Sequence, residues 1–180
     1  RIPAFLLATG SGAERAARFG LPLVIAAVGG EDRMVEAIER YRAEFHPAAV
    51  GAGPYVVVSA SIVIADTTAE AHRLLLPEAW SAAYARTRGE FPPLLPPAEI
   101  EARAMTDRER RIFDEGLRGH LYGTEDEVAD QLERLVRRTG ADEILVHTST
   151  YDRAAKLDSH RRLALLTGLS RADVRADTAA

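Results

Sequence analysis

The chain has 180 residues, of which 47% are hydrophobic and 28% are charged, a composition typical of a globular domain large enough to bury a core. Its formal net charge of −4 argues against binding to nucleic acid or to an anionic membrane, and no apolar run reaches the ~20 residues of a membrane helix. The absence of cysteine excludes disulfides, thiolate metal sites and a cysteine nucleophile. We expect a cytoplasmic protein with one domain over residues 1–169 and a flexible polar tail over 170–180.

Two short apolar runs near the amino terminus predict buried parallel strands. The first is Pro3–Ala8, which we expect to be buried on both faces, and the second is Leu23–Val28. Between them, Ser11 is placed to cap a helix over Gly12–Phe19, and Gly20 is placed to end it. This stretch therefore predicts a strand–helix–strand unit.

The longest apolar run, Tyr55–Ala65, predicts the main strand of the sheet. A helix with one apolar face is predicted before it, from Glu31 to about Phe45, because Glu31 and the next residue place negative charge in the first turn. A second helix is predicted after it, from the Asp66–Glu70 capping segment to about Arg86. Pro77 lies inside that helix and is expected to kink or split it.

A proline-rich segment, Phe91–Ala98, predicts an irregular insertion over the surface. The elements predicted after it are a helix over 106–118, a strand at His120–Tyr122, a helix capped by Thr124 and Glu127, a strand at Glu143–His147, and a helix over Asp152–Leu166. Alternation of strands and helices predicts a parallel sheet with crossover helices. Two architectures fit: an open doubly wound sheet, or part of a (β/α)8 barrel, since a whole barrel needs ~250 residues.

The turn Thr9-Gly10-Ser11-Gly12 is the main candidate site. It joins the end of a strand to the start of a helix, where free backbone N–H groups attract anions. Glycines would let the backbone approach a phosphate, and Thr9 and Ser11 would add hydroxyl donors. An ordinary turn with a serine cap explains the same residues, and the turn has neither P-loop nor GxGxxG spacing.

Other candidate groups give weaker signals. Thr148 follows the last strand, at the ligand side of a barrel, and is a candidate for contact with a cofactor. The five histidines have no metal-ligand spacing, so we predict no metal site, and no catalytic residue is identified. The single lysine, Lys156, lies on the last predicted helix, which argues against a Schiff-base enzyme.

Several segments in order resemble the luciferase-like flavin-dependent monooxygenase family. The first is the stretch from Pro3 to Gly30, in which a Gly/Ser-rich turn precedes "AARFGLP". The others are "YRAEFHPA", "VVVSASIVIADTTAEA", "GHLYGTEDEVADQLERL" and "GADEILVHTSTYDRAAKLDSHRRLA". No single segment is diagnostic, but the ordered set covers nearly the whole chain.

The resemblance implies a (β/α)8 barrel, of which this chain corresponds to the second half. It further implies a bacterial flavin-dependent oxidoreductase or monooxygenase that binds reduced FMN, or alternatively coenzyme F420, with the phosphate at Thr9, Gly10, Ser11 and Gly12. Many relatives carry more hydroxyls at that turn, where this chain has Ala8 and Gly12.

The strands of the first half are absent from this sequence. We therefore expect either a fragment or a natural half-barrel, which pairs with an N-terminal half-barrel or forms a homo-oligomer and acts on a small-molecule substrate. The alternatives are a non-catalytic flavin-binding or assembly module, and another phosphate-binding barrel enzyme such as an aldolase or isomerase.

Overall fold

A computed structural model describes residues 4–8, 11–28, 30–47 and 53–168 of the chain. These residues form twelve elements, which follow the predicted order except for one additional short helix, Pro97–Glu101. In chain order they are β1 (Leu6–Ala8), α1 (Gly12–Phe19), β2 (Leu23–Ala26), α2 (Glu31–Ala43), β3 (Val56–Ile64), α3 (Thr68–Arg88), α4 (Pro97–Glu101), α5 (Asp107–Gly116), β4 (Leu121–Gly123), α6 (Glu125–Thr139), β5 (Glu143–His147) and α7 (Arg153–Leu166). All strand pairs are parallel.

The chain divides into two compact units. The first contains the described residues up to Ser61 together with Leu132–His147, and the second contains Ile62–Gln131 together with the described residues from Thr148. Strand β3 and helix α6 each run through the division. The predicted single domain over 1–169 is not tested by this division, and residues 169–180 lie outside the described residues.

In the first unit, four parallel strands pair in the order β1-β2-β3-β5. One face of this sheet packs against α1, whose buried residues are the small Ala13, Ala16 and Ala17. Helix α2 buries Met34, Ile38 and Tyr41, at the helical spacing that the sequence predicts.

The Tyr41 hydroxyl ties α2 to the strands of this unit. It donates to the Leu21 carbonyl (3.0 Å) and accepts from the Tyr55 backbone N–H (3.1 Å). Burial raises the pKa of Tyr41, so the phenol stays protonated and able to donate this hydrogen bond.

Strands β1 and β2 are shorter than predicted. Pro3 lies outside the described residues, and β1 begins at Leu6. Leu7 is 71% exposed, so the expected burial on both faces is wrong. The cause is that only one face of β1, carrying Leu6 and Ala8, is covered by α1. Strand β2 ends at Ala26 because the Val28 N–H turns back to the Ala26 carbonyl (2.7 Å) and leaves the ladder.

In the second unit, the end of β3 pairs with β4, and α3, α4 and α5 enclose an apolar cluster of Leu76, Ala79, Trp80, Ala83, Ile100 and Phe113. Helix α3 runs uninterrupted through the buried Pro77, so the predicted split does not occur. The proline-rich segment is irregular up to Pro96, but α4 begins inside it at Pro97. A proline fits that first helical position, where its missing N–H would have no intrahelical partner.

Candidate functional site

The candidate site lies where β1 gives way to α1 in the first unit. Thr9 and Gly10 fall outside the described residues. Ser11 directly precedes α1, and Gly12 is the first residue of that helix. The Ser11 side chain is exposed and forms no cap hydrogen bond. Its backbone has φ −66° and ψ 0°, which is helical, whereas a capping residue needs an extended backbone. The expected serine cap is therefore wrong.

Ser11 and Glu14 have the Ser-x-x-Glu spacing of a capping box, yet no box forms. The Glu14 carboxylate instead binds Arg40 of α2 at 2.9 Å. Both side chains of that pair are about half exposed, so the pair contributes less than ~1 kcal/mol, and the helical backbone of Ser11 is the stronger reason. The first N–H groups of α1 consequently receive no acceptor from Ser11 or Glu14.

Gly12 brings the start of α1 close to the end of β1. A Cβ atom at this position would lie 2.9 Å from the Ala8 Cβ and 3.7 Å from Leu6 Cδ2. Gly12 does not have a positive φ, so the glycine is required by space rather than by backbone conformation. The bare backbone at the entrance of α1 thus results from close helix–strand packing.

The start of α2, after the neighbouring strand β2, is in a different electrostatic state. Glu31 and Asp32 stand in its first turn and both bind Arg138, at 2.7 and 2.6 Å. Two carboxylates of the chain itself therefore lie at the positive end of α2, whereas the first turn of α1 carries one, Glu14. Of these two helix starts in the first unit, that of α1 carries less negative charge.

In the second unit, Thr148 follows β5 and is buried, with only 5% of its surface exposed. Its hydroxyl donates a hydrogen bond to the Ile62 carbonyl (2.8 Å), which fastens the chain after β5 to strand β3. This contact explains a threonine at the position by structure alone. Contact between Thr148 and a cofactor stays a prediction.

The turn after β4 carries a closed set of polar contacts. Glu127 accepts from the Thr124 N–H and from the Thr68 hydroxyl, both at 2.8 Å. The Thr124 N–H, as the largest cause, holds the pKa of Glu127 below its usual value. Gly123 has φ +147°, and a Cβ there would overlap the Glu127 carboxylate. The sequence predicted the Thr124–Glu127 pair but not the contribution of Thr68.

Sequence reasoning missed a second polar cluster in this unit, centred on Arg162 of α7. Its guanidinium binds Asp66 after β3 (2.5 Å), Glu125 after β4 (3.3 Å) and Asp158 on its own helix (2.8 Å). The Asp66 hydrogen bond is the main cause that raises the pKa of Arg162. Only the i,i+4 spacing of Asp158 and Arg162 was visible in the sequence. Every acid in this cluster is paired with Arg162, so the role of the cluster is structural: it joins α7 to the chain after β3 and after β4.

Some buried polar atoms lack a partner in the described part of the chain, namely Ser61 Oγ, Thr150 Oγ1 and His160 Nε2. Burial lowers the pKa of His160, so its imidazole is neutral over a wider pH range. No group of three or more His, Asp or Glu side chains that could hold a metal occurs in residues 4–8, 11–28, 30–47 and 53–168. No helix in those ranges is long and apolar enough to cross a membrane.

Comparison with known sequences identifies related proteins. The model of the luciferase-like monooxygenase family matches residues 1–143. The uncharacterized protein YvbT of Bacillus subtilis is 33% identical over 168 residues, which cover 91% of this chain and 48% of YvbT. A luciferase-like monooxygenase of Escherichia coli K12 is 31% identical over 160 residues, which cover 88% of this chain and 48% of that protein.

Solved structures share the fold of this chain. Apo-MsnO8 matches with a TM-score of 0.74 at 28% identity, over 94% of this chain and 53% of that chain. The oxygenating constituent of 3,6-diketocamphane monooxygenase from Pseudomonas putida, in complex with FMN, matches with a TM-score of 0.56 at 19% identity, over 88% of this chain and 46% of that one. The chain thus spans about half the length of these relatives. The predicted fold class is confirmed: an α/β fold that corresponds to part of a luciferase-like (β/α)8 barrel.

Proposed function

This chain belongs to the luciferase-like monooxygenase family, and on that premise we propose that it contributes the phosphate-binding half of a flavin-dependent monooxygenase. The cofactor is reduced FMN, with coenzyme F420 as the alternative, and the substrate is a small organic molecule. Support for FMN comes from the FMN complex of the Pseudomonas putida relative. When bound, the reduced flavin supplies the electrons that activate dioxygen, and the protein supplies binding, orientation and exclusion of water.

The observation that carries this proposal is the N-terminus of α1, which neither Ser11 nor Glu14 caps and which we call the open start. Its first N–H groups receive no side-chain cap from Ser11, and the bare backbone at Gly12 leaves room for close approach. A phosphate at this position would accept hydrogen bonds from those N–H groups and gain from the positive end of the helix. The residues that we expect to hold it are Thr9, Gly10, Ser11 and Gly12, with the Ser11 hydroxyl, which is exposed and free of the cap, as a further donor.

Titration of the chain with FMN, with riboflavin and with coenzyme F420, followed by the fluorescence of each compound, tests this proposal. Riboflavin has the same ring system but lacks the phosphate. We expect FMN to bind at least tenfold more tightly than riboflavin, which corresponds to about 1.4 kcal/mol. Equal affinities would contradict the phosphate site, and failure of both FMN and F420 to bind would contradict the flavin cofactor.

We also propose that the first unit needs a partner for its open strands, either an N-terminal half-barrel or a second copy of the chain. Among the described residues, β1 pairs only with β2 and β5 pairs only with β3, so each leaves one edge unpaired. Leu7 on β1 and Leu145 on β5 are 71% and 52% exposed. Exposed strand edges with apolar side chains favour association.

Light scattering at micromolar concentration checks the association. We expect a dimer or a higher oligomer of the chain alone, or a stoichiometric complex when an N-terminal half-barrel is supplied. A monodisperse monomer that unfolds cooperatively and binds no such half would contradict this part of the proposal.

A further inference from the structure

A half-open cleft in the second unit has no role in the proposed flavin chemistry. It has a volume of about 430 Å³ and lies between α3, the end of α4, and α5. This volume falls within the range of small-molecule sites, roughly 300–1,000 Å³. None of the residues that line the cleft belongs to Thr9–Gly12, and Thr148 does not line it either.

The floor of the cleft is apolar. Leu76, Ile100 and Phe113 contribute to it, and all three are also members of the buried cluster of this unit, with at most 6% of their surface exposed. Met105 lines the cleft as well, and its unbranched thioether can adjust to the shape of a ligand. An apolar group in the cleft would therefore rest on the side chains that hold the three helices together.

The rim carries two opposite charges that the rest of the described chain does not neutralise. Arg110 and Asp114 both line the cleft, and neither side chain forms a hydrogen bond or ion pair with another described residue. The Arg110 guanidinium lies 5.5 Å from the centre of the Phe113 ring, above the apolar floor. By contrast, Glu101, which also lines the cleft, is held by both ends of its carboxylate in a pair with Arg73 (2.8 and 3.0 Å).

The spacing of these two charges defines the ligand that suits them. Residues four apart on a helix have Cβ atoms roughly 5–6 Å apart, so Arg110 and Asp114 can contact neighbouring groups of one small molecule. The guanidinium suits a carboxylate, and the carboxylate suits an ammonium group. We propose that this cleft binds a small amphipathic zwitterion, with a carboxylate on Arg110, an ammonium on Asp114 and an apolar body on the floor.

L-Phenylalanine is the probe that tests this assignment, with two derivatives that each lack one charge. N-acetyl-L-phenylalanine lacks the ammonium group, and L-phenylalaninamide lacks the carboxylate. Isothermal titration calorimetry of the full chain measures all three. We expect L-phenylalanine to bind and each derivative to bind at least fivefold more weakly.

Two variants assign each charge to its partner. R110Q should weaken the binding of L-phenylalanine until it binds no more tightly than the amide. D114N should weaken the binding of L-phenylalanine until it binds no more tightly than the acetyl derivative. R111Q and E115Q are matched controls, because they repeat the same charges and spacing one residue along α5, outside the cleft. Both controls should bind the amino acid as the unmodified chain does. Circular dichroism of each variant checks that α5 remains folded.

The proposal is overturned if the unmodified chain binds none of the three compounds up to their solubility limits. It is also overturned if the three bind equally, or if R111Q and E115Q lose as much affinity as R110Q and D114N. Each result is independent of the FMN titration, because these substitutions leave residues 9–12 unchanged.

Discussion

The turns before α1 and α6 have nearly the same sequence pattern but form different hydrogen bonds. The turn before α6 is capped by its own glutamate and is called the closed turn, whereas the turn before α1 is the open turn. Each places a hydroxyl residue before a helix and a glutamate three positions later, Ser11 with Glu14 and Thr124 with Glu127. At α6 the glutamate accepts the Thr124 N–H at 2.8 Å, whereas at α1 it turns away to Arg40. A helix start that already binds a carboxylate of the chain has fewer free N–H groups and less positive charge for an external anion. The open start is therefore where a phosphate is expected to bind.

The largest expected effect tests the close packing that holds the α1 turn open. Gly12→Ala would place a Cβ 2.9 Å from the Ala8 Cβ, and an alanine Cβ cannot rotate away from such a contact, so a backbone must shift. We expect the free energy of unfolding to fall by about 1–3 kcal/mol, as measured by urea denaturation. Gly53→Ala is the matched control, because a Cβ there meets no atom within 4 Å. Equal stability of the two variants would show that α1 can shift away from β1.

The next prediction compares the effect on FMN binding of a negative charge added at the open turn and at the closed turn. Ser11→Asp should weaken FMN binding at least tenfold, about 1.4 kcal/mol, because the carboxylate competes with the phosphate. Thr124→Asp adds the same charge at the closed turn, where Asp is also a good cap, and should leave FMN affinity unchanged. Fluorescence titration measures both variants. A matching loss for riboflavin would indicate damage to the fold instead of loss of a phosphate site.

Removing each hydroxyl compares the two caps directly. Thr124→Ala should lower the free energy of unfolding by about 1 kcal/mol, because the cap interaction with the Glu127 N–H is lost. Ser11→Ala should change the stability of the ligand-free chain very little, because the Ser11 side chain makes no cap hydrogen bond. Chemical denaturation of the two variants checks this difference. A similar cost at Ser11 would mean that the start of α1 is capped in solution.

The smallest expected effect is the pH dependence of the stability that Glu127 contributes at the closed turn. The pKa of Glu127 is depressed in the folded state, so its stabilising contribution is complete above the pKa of the unfolded chain. This contribution is lost as the pH falls through the lower, folded-state pKa. Glu127→Gln should be less stable than the unmodified chain at neutral pH, and the gap should narrow on acidification. Denaturation curves across the acidic range measure this gap, and a gap that stayed constant would contradict the assignment.

The regular elements of this fold were largely predictable from local sequence. The helical spacing of Met34, Ile38 and Tyr41 marks the buried side of α2, and the continuous apolar run of β3 marks a strand buried on both faces. Both signals depend only on neighbouring residues, which is why their bounds agree with the structure to within two residues. The edge strand β1 was harder, because its exposure depends on which faces the rest of the fold covers.

The candidate site was only partly predictable. The sequence placed a strand, a glycine-rich turn and a helix start in the right order, because turn residues and apolar runs are local signals. It could not distinguish the start of α1 from that of α6, since Ser-x-x-Glu and Thr-x-x-Glu predict the same capping box. The cluster around Arg162 was also hidden, because Asp66 and Glu125 are far from Arg162 along the chain.

By itself, then, the sequence of this protein determined the alternation of strands and helices, the absence of thiol chemistry and the position of the glycine-rich turn. The tertiary structure decided which helix start stays open. The Ser11 backbone is helical where a cap needs it extended, Arg40 of another helix takes the Glu14 carboxylate, and Ala8 leaves no space for a side chain at position 12. These contacts join residues that are distant in sequence or depend on how a helix meets a strand. No local pattern specifies them, because their energies arise only once the elements have packed.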